Sequence, residues 1–192
     1  MLRITDILDK TQSYLPPEEQ EMIEKAYVFS ASVHQGQTRL SGEPYLTHPM
    51  EVAGMLADMK LDAATIITGL LHDTVEDTLA TTEQIEAAFG KDVAFLVEGL
   101  TKISKITFGS QEERQAENFR KMILAMSADL RILIVRLADR MHNMRTLNFQ
   151  PPEKQRFIAT ETLELYAPLA NRLGINWMKV ELEDLSFYYL DN

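Results

Sequence analysis

The sequence predicts an all-α helical bundle. Apolar residues recur at helical spacing in nearly every stretch between turn signals. The periodic stretches outlast a typical strand. Several open on helix-start chemistry, either proline followed by acids or a Thr-x-x-Gln box. The 192 residues are 45% apolar and 25% charged, the composition of an ordinary globular chain, and that length corresponds to one domain with a short appendix.

Pro16-Pro17-Glu18-Glu19 starts the first predicted helix, since proline suits the first turn and acids favour the positive end of the dipole. Met22, Ile23, Ala26, Tyr27, Phe29 and Ser30 continue it as a stripe to about Val33. Residues 34–47 carry Gly36, Gly42 and Pro44 and read as loop. Helical patterns follow at 49–59 and 63–77, and Thr81-Thr82-Glu83-Gln84 caps a short helix ending at Gly90. A further helix covers 91–100, residues 105–110 read as a turn or short hairpin, and 112–127 are amphipathic. Ile132-Leu133-Ile134-Val135 has strand propensity, but its pattern runs on through Met144, so it is assigned to a helix. Pro151-Pro152-Glu153 opens a helix to about Leu173, and the last helix runs from about Asn176 to Asn192. Residues 1–150 are expected to form the core domain, with the helices of 151–192 packing on it.

Net charge is −10, which argues against bulk affinity for nucleic acid, because that needs a basic face. It permits an anionic small substrate where local cations or a metal reverse the field. The absence of cysteine removes disulfides, thiolate nucleophiles and zinc–thiolate sites, and fits a reducing cytoplasm. No apolar run approaches the ~18 residues of a membrane span, and MLRITDILDK has no apolar signal core.

Four histidines are present: His34, His48, His72 and His142. The run His72-Asp73-Thr74-Val75-Glu76-Asp77 puts one imidazole and three carboxylates at the end of an apolar stretch. On a continuous helix His72 would lie beside Glu76, and Asp73 beside Asp77. Crowded carboxylates repel unless a cation or water relieves them; a metal site is one reading and a solvated acidic helix end is the other. Asp139 interrupts an apolar run, so it needs a partner, either Arg136 or Arg140 or a metal. His48, at a loop-to-helix junction, completes with His72, Asp73 and Asp139 a mixed nitrogen–oxygen set suited to Mn²⁺ or Fe²⁺. Glu76 or Asp77 would then position or deprotonate the attacking water. His34 reads as a dipole partner at a helix C-terminus. His142, three residues after Asp139, reads equally as a supporting or a core residue. Arg39, Lys102, Lys105, Arg140 and Arg145 are cations suited to phosphate, and Asn143 and Thr146 are neutral groups able to meet a base edge.

The His–Asp pair with an earlier His and a later Asp resembles the HD phosphohydrolases. More closely, the chain resembles the N-terminal hydrolase domain of long RelA/SpoT-type alarmone enzymes, through RLSGEPYLTHP (39–49), GLLHDTVEDT (69–78), VEGLTKISKI (97–106), EERQAENFRKM (112–122), LIVRLADRMHNMRTL (133–147), LYAPLANRLGI (165–175) and VELEDLSFYYL (180–190). The resemblance implies an HD-type bundle with Mn²⁺ at His48, His72, Asp73 and Asp139. It implies Glu76 and Asp77 as the water-activating pair. It implies guanosine recognition by Arg39, Leu40 and Ser41 and by Asn143, Arg145 and Thr146. The implied reaction releases pyrophosphate from the ribose 3′ position of (p)ppGpp, in the stringent response. A covalently attached synthetase domain is implied beyond the last helices, which would make this chain a fragment. Leu40 departs from the family, where a lysine is more common. Two competitors stand beside this expectation: an HD phosphohydrolase acting on another nucleotide, such as a dNTP, and a catalytically silent regulatory module.

Overall fold

The computed structural model describes residues 2–104 and 129–191. The described elements are α1 (Ile4–Thr11), α2 (Pro17–Val33), α3 (Thr47–Asp58), α4 (Ala63–Leu71), α5 (Thr74–Asp77), α6 (Thr82–Phe89), α7 (Lys91–Ser104), α8 (Leu130–Arg145), a 3₁₀ turn (Leu147–Phe149), α9 (Pro152–Glu161), a π turn (Thr162–Tyr166), α10 (Ala167–Arg172) and α11 (Asn176–Asp191). Among the described residues there is no strand, only the isolated bridge Thr38–Pro44. The all-α expectation holds. The readings at 105–110 and 112–127, and Lys105, lie outside the described residues.

Helix starts follow the local chemistry. Pro17 opens α2, where its missing N–H costs nothing. Thr81 and Gln84 form a reciprocal capping box on α6. Asp62 accepts from Thr65 N to cap α4, and Asp129 accepts from Arg131 N to cap α8. Gly90 ends α6 at φ 89°, a backbone conformation that glycine adopts without the Cβ penalty.

Three helices form the centre. Residues 48–50 and 52–57 of α3 are buried, as is all of α4 except Ala64, and α8 buries nine residues including Asp139 and His142. Leu56, Ile66, Leu70, Leu71, Leu137, Met141 and Met144 fill the space between them. Gly69 permits the close approach of α4 to α3, because a Cβ there would meet Leu56 Cδ1 at 2.6 Å. Arg131 ties the start of α8 to Asp62 and Asp92. Around α8, Arg140 pairs with Glu161 of α9 and Arg145 pairs with Glu181 of α11.

Three differences from the sequence expectation have physical causes. The segment 63–77 is two helices, not one. Thr74 Oγ1 donates to the Leu71 carbonyl (2.6 Å), closing α4, while the Asp73 carbonyl accepts from Glu76 N and Asp77 N and starts α5. Helix α1, given no element in the sequence reading, docks with Ile7 fully buried and Lys10 paired to Asp58. The helix expected from 151 to 173 contains a π turn, a feature that often marks functional positions.

Candidate metal centre

The three central helices deliver one ligand group each to a common point. His48 comes from the first turn of α3, His72 from the end of α4, and Asp139 from the middle of α8. Their donor atoms lie within 4.8 Å of one another, and all three residues are buried. His48 Nε2 is 3.1 Å from His72 Nε2 and 3.2 Å from Asp139 Oδ1, and His72 Nε2 is 3.9 Å from the same oxygen. The break after His72 turns Asp73 into this group, 3.1 Å from His72 Nε2 through one oxygen and 3.6 Å from His48 Nε2 through the other.

Neighbouring groups fix the orientation of each ligand. His72 Nδ1 donates to the Gly69 carbonyl at 2.8 Å, which leaves Nε2 to face inward. His48 Nδ1 meets His142 Nδ1 at 2.8 Å. Burial, with His48 and Arg39 nearby, pushes His142 down to about 3, so it is neutral and can accept from His48 Nδ1–H. Once the proton on His72 Nε2 is displaced, both inward-facing Nε2 atoms present lone pairs to one point, the arrangement that metal-binding histidines adopt. Asp139 is held on both oxygens: Arg136 Nη1 donates to Oδ2 (3.0 Å) and Asn143 Nδ2 to Oδ1 (2.6 Å).

The electrostatics match this geometry. Burial pushes His48 down. Burial acts the same way on His72, but the Asp73 and Asp139 carboxylates win and hold it up at about 9. Against its own burial, Asp73 is held at about 2 by His72. Asp139 is likewise held well below the usual carboxylate range by His48 and Arg136. Two ionised carboxylates and two imidazole nitrogens around one buried point are a donor set for a divalent cation. Donors about 2.0–2.2 Å from an octahedral ion lie about 3 Å apart on adjacent positions, in keeping with the 3.1 and 3.2 Å edges. The residues fit a metal ion.

A cavity of about 680 Å³ opens above the cluster, with His48, Asp73 and Asp139 in its lining. Arg39, Arg136, Arg140 and Lys154 line it as well, and so do Leu40, Ser41, Asn143 and Thr146. Leu40 is 70% exposed there. Arg39 Nη2 donates to Asn143 Oδ1 at 3.0 Å, and its Nη1 is buried without a hydrogen-bond partner among the described residues. Two residues named from the sequence go elsewhere: Lys102 pairs with Glu98 at 2.8 Å, and Arg145 makes a two-pronged contact with Glu181 at 2.6 and 2.8 Å. Neither lines the cavity. Glu76 and Asp77 are exposed on α5, beside the cluster.

Tyr45 escaped the sequence reading. Its hydroxyl contacts Asp73 Oδ2 at 2.9 Å and also Asp77 Oδ2. Burial and the Asp73 charge push this phenol far above its ordinary value, so it remains a donor. The signal was a tyrosine three residues before His48, at the mouth of the same helix. Asp73 and Asp77 do lie together, as expected, though with a helix break rather than a continuous helix around them. Lys154 was also missed, because nothing in its local sequence points inward. Of the bland partners considered for Asp139, Arg136 is the one used; Arg140 turns to Glu161 and to the Tyr166 ring, 4.1 Å from its guanidinium carbon.

Comparison with known proteins gives a consistent outcome. The chain is 63% identical over 180 residues to a GTP pyrophosphokinase of Myxococcus xanthus, covering 92% of this chain and 24% of that protein. It is 55% identical over 176 residues to the bifunctional (p)ppGpp synthase/hydrolase SpoT of Escherichia coli (strain K12), covering 92% and 25%. The chain thus spans about a quarter of the length of these curated relatives. A solved structure described as a metazoan ortholog of SpoT that hydrolyzes ppGpp matches in fold, with a TM-score of 0.61 at 24% identity over 91% of this chain and 96% of that one. No helix among the described residues is long and apolar enough to cross a membrane. The family model of the HD domain matches residues 26–176, a span that contains His48, the His72–Asp73 pair and Asp139, and the chain belongs to the HD-domain family.

Proposed function

We propose that this chain hydrolyses the 3′-diphosphate of (p)ppGpp, releasing pyrophosphate and GDP or GTP, with Mn²⁺ as its metal. The observation that carries this reading is the buried His48/His72/Asp139 cluster, with Asp73 beside it, on the floor of a cavity walled by Arg39, Arg136, Arg140 and Lys154. Such walls suit a polyphosphate, and the mixed nitrogen–oxygen donors suit Mn²⁺. The substrate class is supported by the relatives, among them a guanosine-3′,5′-bis(diphosphate) 3′-pyrophosphohydrolase of Escherichia coli O157:H7 at 55% identity.

His48, His72, Asp73 and Asp139 would hold the ion, which supplies Lewis acidity to the phosphoryl oxygens and acidifies water. Glu76 and Asp77 orient the attacking water and take its proton. Water's oxygen bonds to the phosphorus carried on the ribose 3′ oxygen, and the P–O3′ bond breaks. Pyrophosphate leaves with the new oxygen, and the ribose 3′ oxygen takes up the proton passed from water to Glu76 and Asp77 and leaves as a hydroxyl. Arg136, Arg140 and Lys154 face the diphosphate, while Arg39, Leu40, Ser41, Asn143 and Thr146 meet the nucleoside end. Lys102 and Arg145 keep their carboxylate partners and lie outside the cavity. In a longer protein, residues 1–150 would act as the hydrolase core and 151–192 would lead to an attached synthetase domain, in the cytoplasm.

The test is hydrolysis of ppGpp and of dNTPs by the purified chain with saturating Mn²⁺. Release of pyrophosphate and GDP from ppGpp is the expected result. Preference for dNTPs would move the substrate assignment to another nucleotide. Tight ppGpp binding without turnover would make the chain a silent regulatory module.

A further inference from the structure

The Tyr45 hydroxyl touches two carboxylates at once, Asp73 Oδ2 and Asp77 Oδ2. They serve different ends in the reading above: Asp73 belongs to the metal set, and Asp77 handles water. Asp77 is exposed on a single helical turn. Two carboxylates four residues apart repel one another, and with Asp73 held by His72 and His48 the exposed Asp77 is the one turned outward by that repulsion. A shared O–H donor reverses this tendency, because hydrogen bonds to an ionised acceptor are roughly twice as strong as neutral ones.

The phenol is held unusually well for a residue in a loop. Its ring stacks on the buried His34 imidazole, with centroids 4.5 Å apart and planes 18° apart. Gln37 Nε2 donates to the Asp77 backbone carbonyl at 3.3 Å, so Gln37 Oε1 is free to accept, and His34 Nδ1 is its donor at 2.9 Å. Tyr45 N donates to the Gln37 carbonyl and Arg39 N to the Glu43 carbonyl, which closes residues 37–45 into a clasp. Both ends of this clasp, Gln37 and Tyr45, bond to the 73–77 segment. Its tip carries Arg39, Leu40 and Ser41.

We propose that Tyr45 is a positioning residue for the hydrolysis, its hydroxyl holding Asp73 and Asp77 in one fixed relation while the His34 stack and the Gln37 clasp hold the hydroxyl itself. The proposal rests on the hydrolytic reading of this site. It explains why a buried histidine outside the metal set, with its Nε2 lacking a hydrogen-bond partner among the described residues, lies beneath that ring: His34 acts as a flat support.

Wild type, Tyr45→Phe, Asp77→Asn and the double variant would be compared by Mn²⁺ calorimetry and ppGpp kinetics. Tyr45→Phe keeps the ring and its stack, so the fold is expected to survive, with a circular dichroism melt as the check. Loss of the hydroxyl removes one of the contacts that orient Asp73, and Mn²⁺ binding is expected to weaken about 3- to 10-fold, at or below the usual cost of losing a group that supports a ligand. The kcat is expected to fall about 10- to 100-fold while KM for ppGpp changes less than about threefold, the pattern of an interaction made in the transition state. The kcat losses of Tyr45→Phe and Asp77→Asn are expected not to add, since both break one unit. Additive losses, or a Tyr45→Phe protein that melts earlier yet keeps its kcat and Mn²⁺ affinity, would overturn the proposal. The calorimetry needs no substrate. A wild type that binds Mn²⁺ but leaves ppGpp intact would sink the proposed function, and the Mn²⁺ shift in Tyr45→Phe would still decide the link to Asp73.

Discussion

Replacing His142 by alanine tests the claim that it sets the tautomer of His48. Among the described residues the His48 Nδ1–H has one partner, the His142 Nδ1 lone pair at 2.8 Å, and both residues are buried. Truncation leaves that N–H in the protein interior without an acceptor, a loss of about 1–3 kcal/mol. The imidazole can lower this cost by moving its proton to Nε2, the atom that faces the metal point. Either route opposes metal binding and leaves the inherent affinity of the other ligands unaltered. Losing a group that orients a ligand costs about 10- to 100-fold in metal affinity, which is about 1.4–2.8 kcal/mol. The two estimates agree, so the expected result is a 10- to 100-fold weaker Mn²⁺ Kd by calorimetry, measured well below the melting temperature. His142→Gln, which returns an acceptor oxygen, is expected to recover part of the loss. A folded His142→Ala protein that binds Mn²⁺ within about twofold of wild type would refute the argument, because the tautomer would then be set without His142.

Asp73→Asn is expected to abolish Mn²⁺ binding and hydrolysis together, whereas Glu76→Gln keeps the metal and loses most of its turnover, since one supplies charge to the ion and the other acts on water; metal loss in Glu76→Gln would overturn that division. Leu40→Lys places a charge at an exposed position of the cavity lining. It is expected to lower KM for ppGpp severalfold in low salt, with the gain fading as the screening length shrinks from about 10 Å at 0.1 M to about 3 Å at 1 M, and with kcat unchanged. A large fall in kcat at constant KM would instead make this loop part of the alignment of the scissile phosphate. Arg131→Ala removes contacts to Asp62, Asp92 and Asp129 and is expected to cost about 1–2 kcal/mol, discounted for partial exposure, or roughly 2–8 °C in Tm. Hydrogen bonding from Arg131 holds the Asp129 carboxyl below its usual value. That contribution is therefore present above the ordinary carboxylate pKa and lost as pH falls, and the stability gap between wild type and variant should close below about pH 4. A gap that stays constant into acid would show that the cost is one of packing, which does not titrate.

Local signals carried most of the fold. Periodicity gave α2, α3, α4, α8 and α11, and start signals at Pro17 and Thr81 gave the beginnings of α2 and α6, because these depend on neighbours within one or two turns. The run Ile132–Val135 shows the limit of propensity: its β-branched residues favour strand, yet it forms part of α8, with Ile132, Leu133 and Val135 buried and Ile132 lying against Gly99 of α7. Helix α1 lacks a stripe long enough to register and exists because Ile7 has a place to bury. Lys102 beside Glu98 was legible as an i, i+4 pair. Arg145 was not, since its partner Glu181 is 36 residues away on another helix.

The clearest mismatch between local rule and structure lies where the chemistry is. A helix rich in Ile and Leu should run on from Leu71, since nothing in Ile66–Leu71 ends it, yet it stops at Leu71, two residues before Asp73. Thr74 Oγ1 donates to the Leu71 carbonyl in place of the N–H that a continuing helix would supply. What the interruption gains is direction. On a continuous helix, Asp73 would sit about 100° around the axis from His72; after the break its two oxygens lie 3.1 and 3.6 Å from the two ligand imidazoles. Bringing a second buried carboxylate beside Asp139 opposes folding unless a positive charge joins them, and the His72 proton serves that purpose in the absence of metal. A sequence selected for stability alone would have continued the helix and left Asp73 in water. Local rules are expected to fail at functional sites, and here the departure brings the charges together.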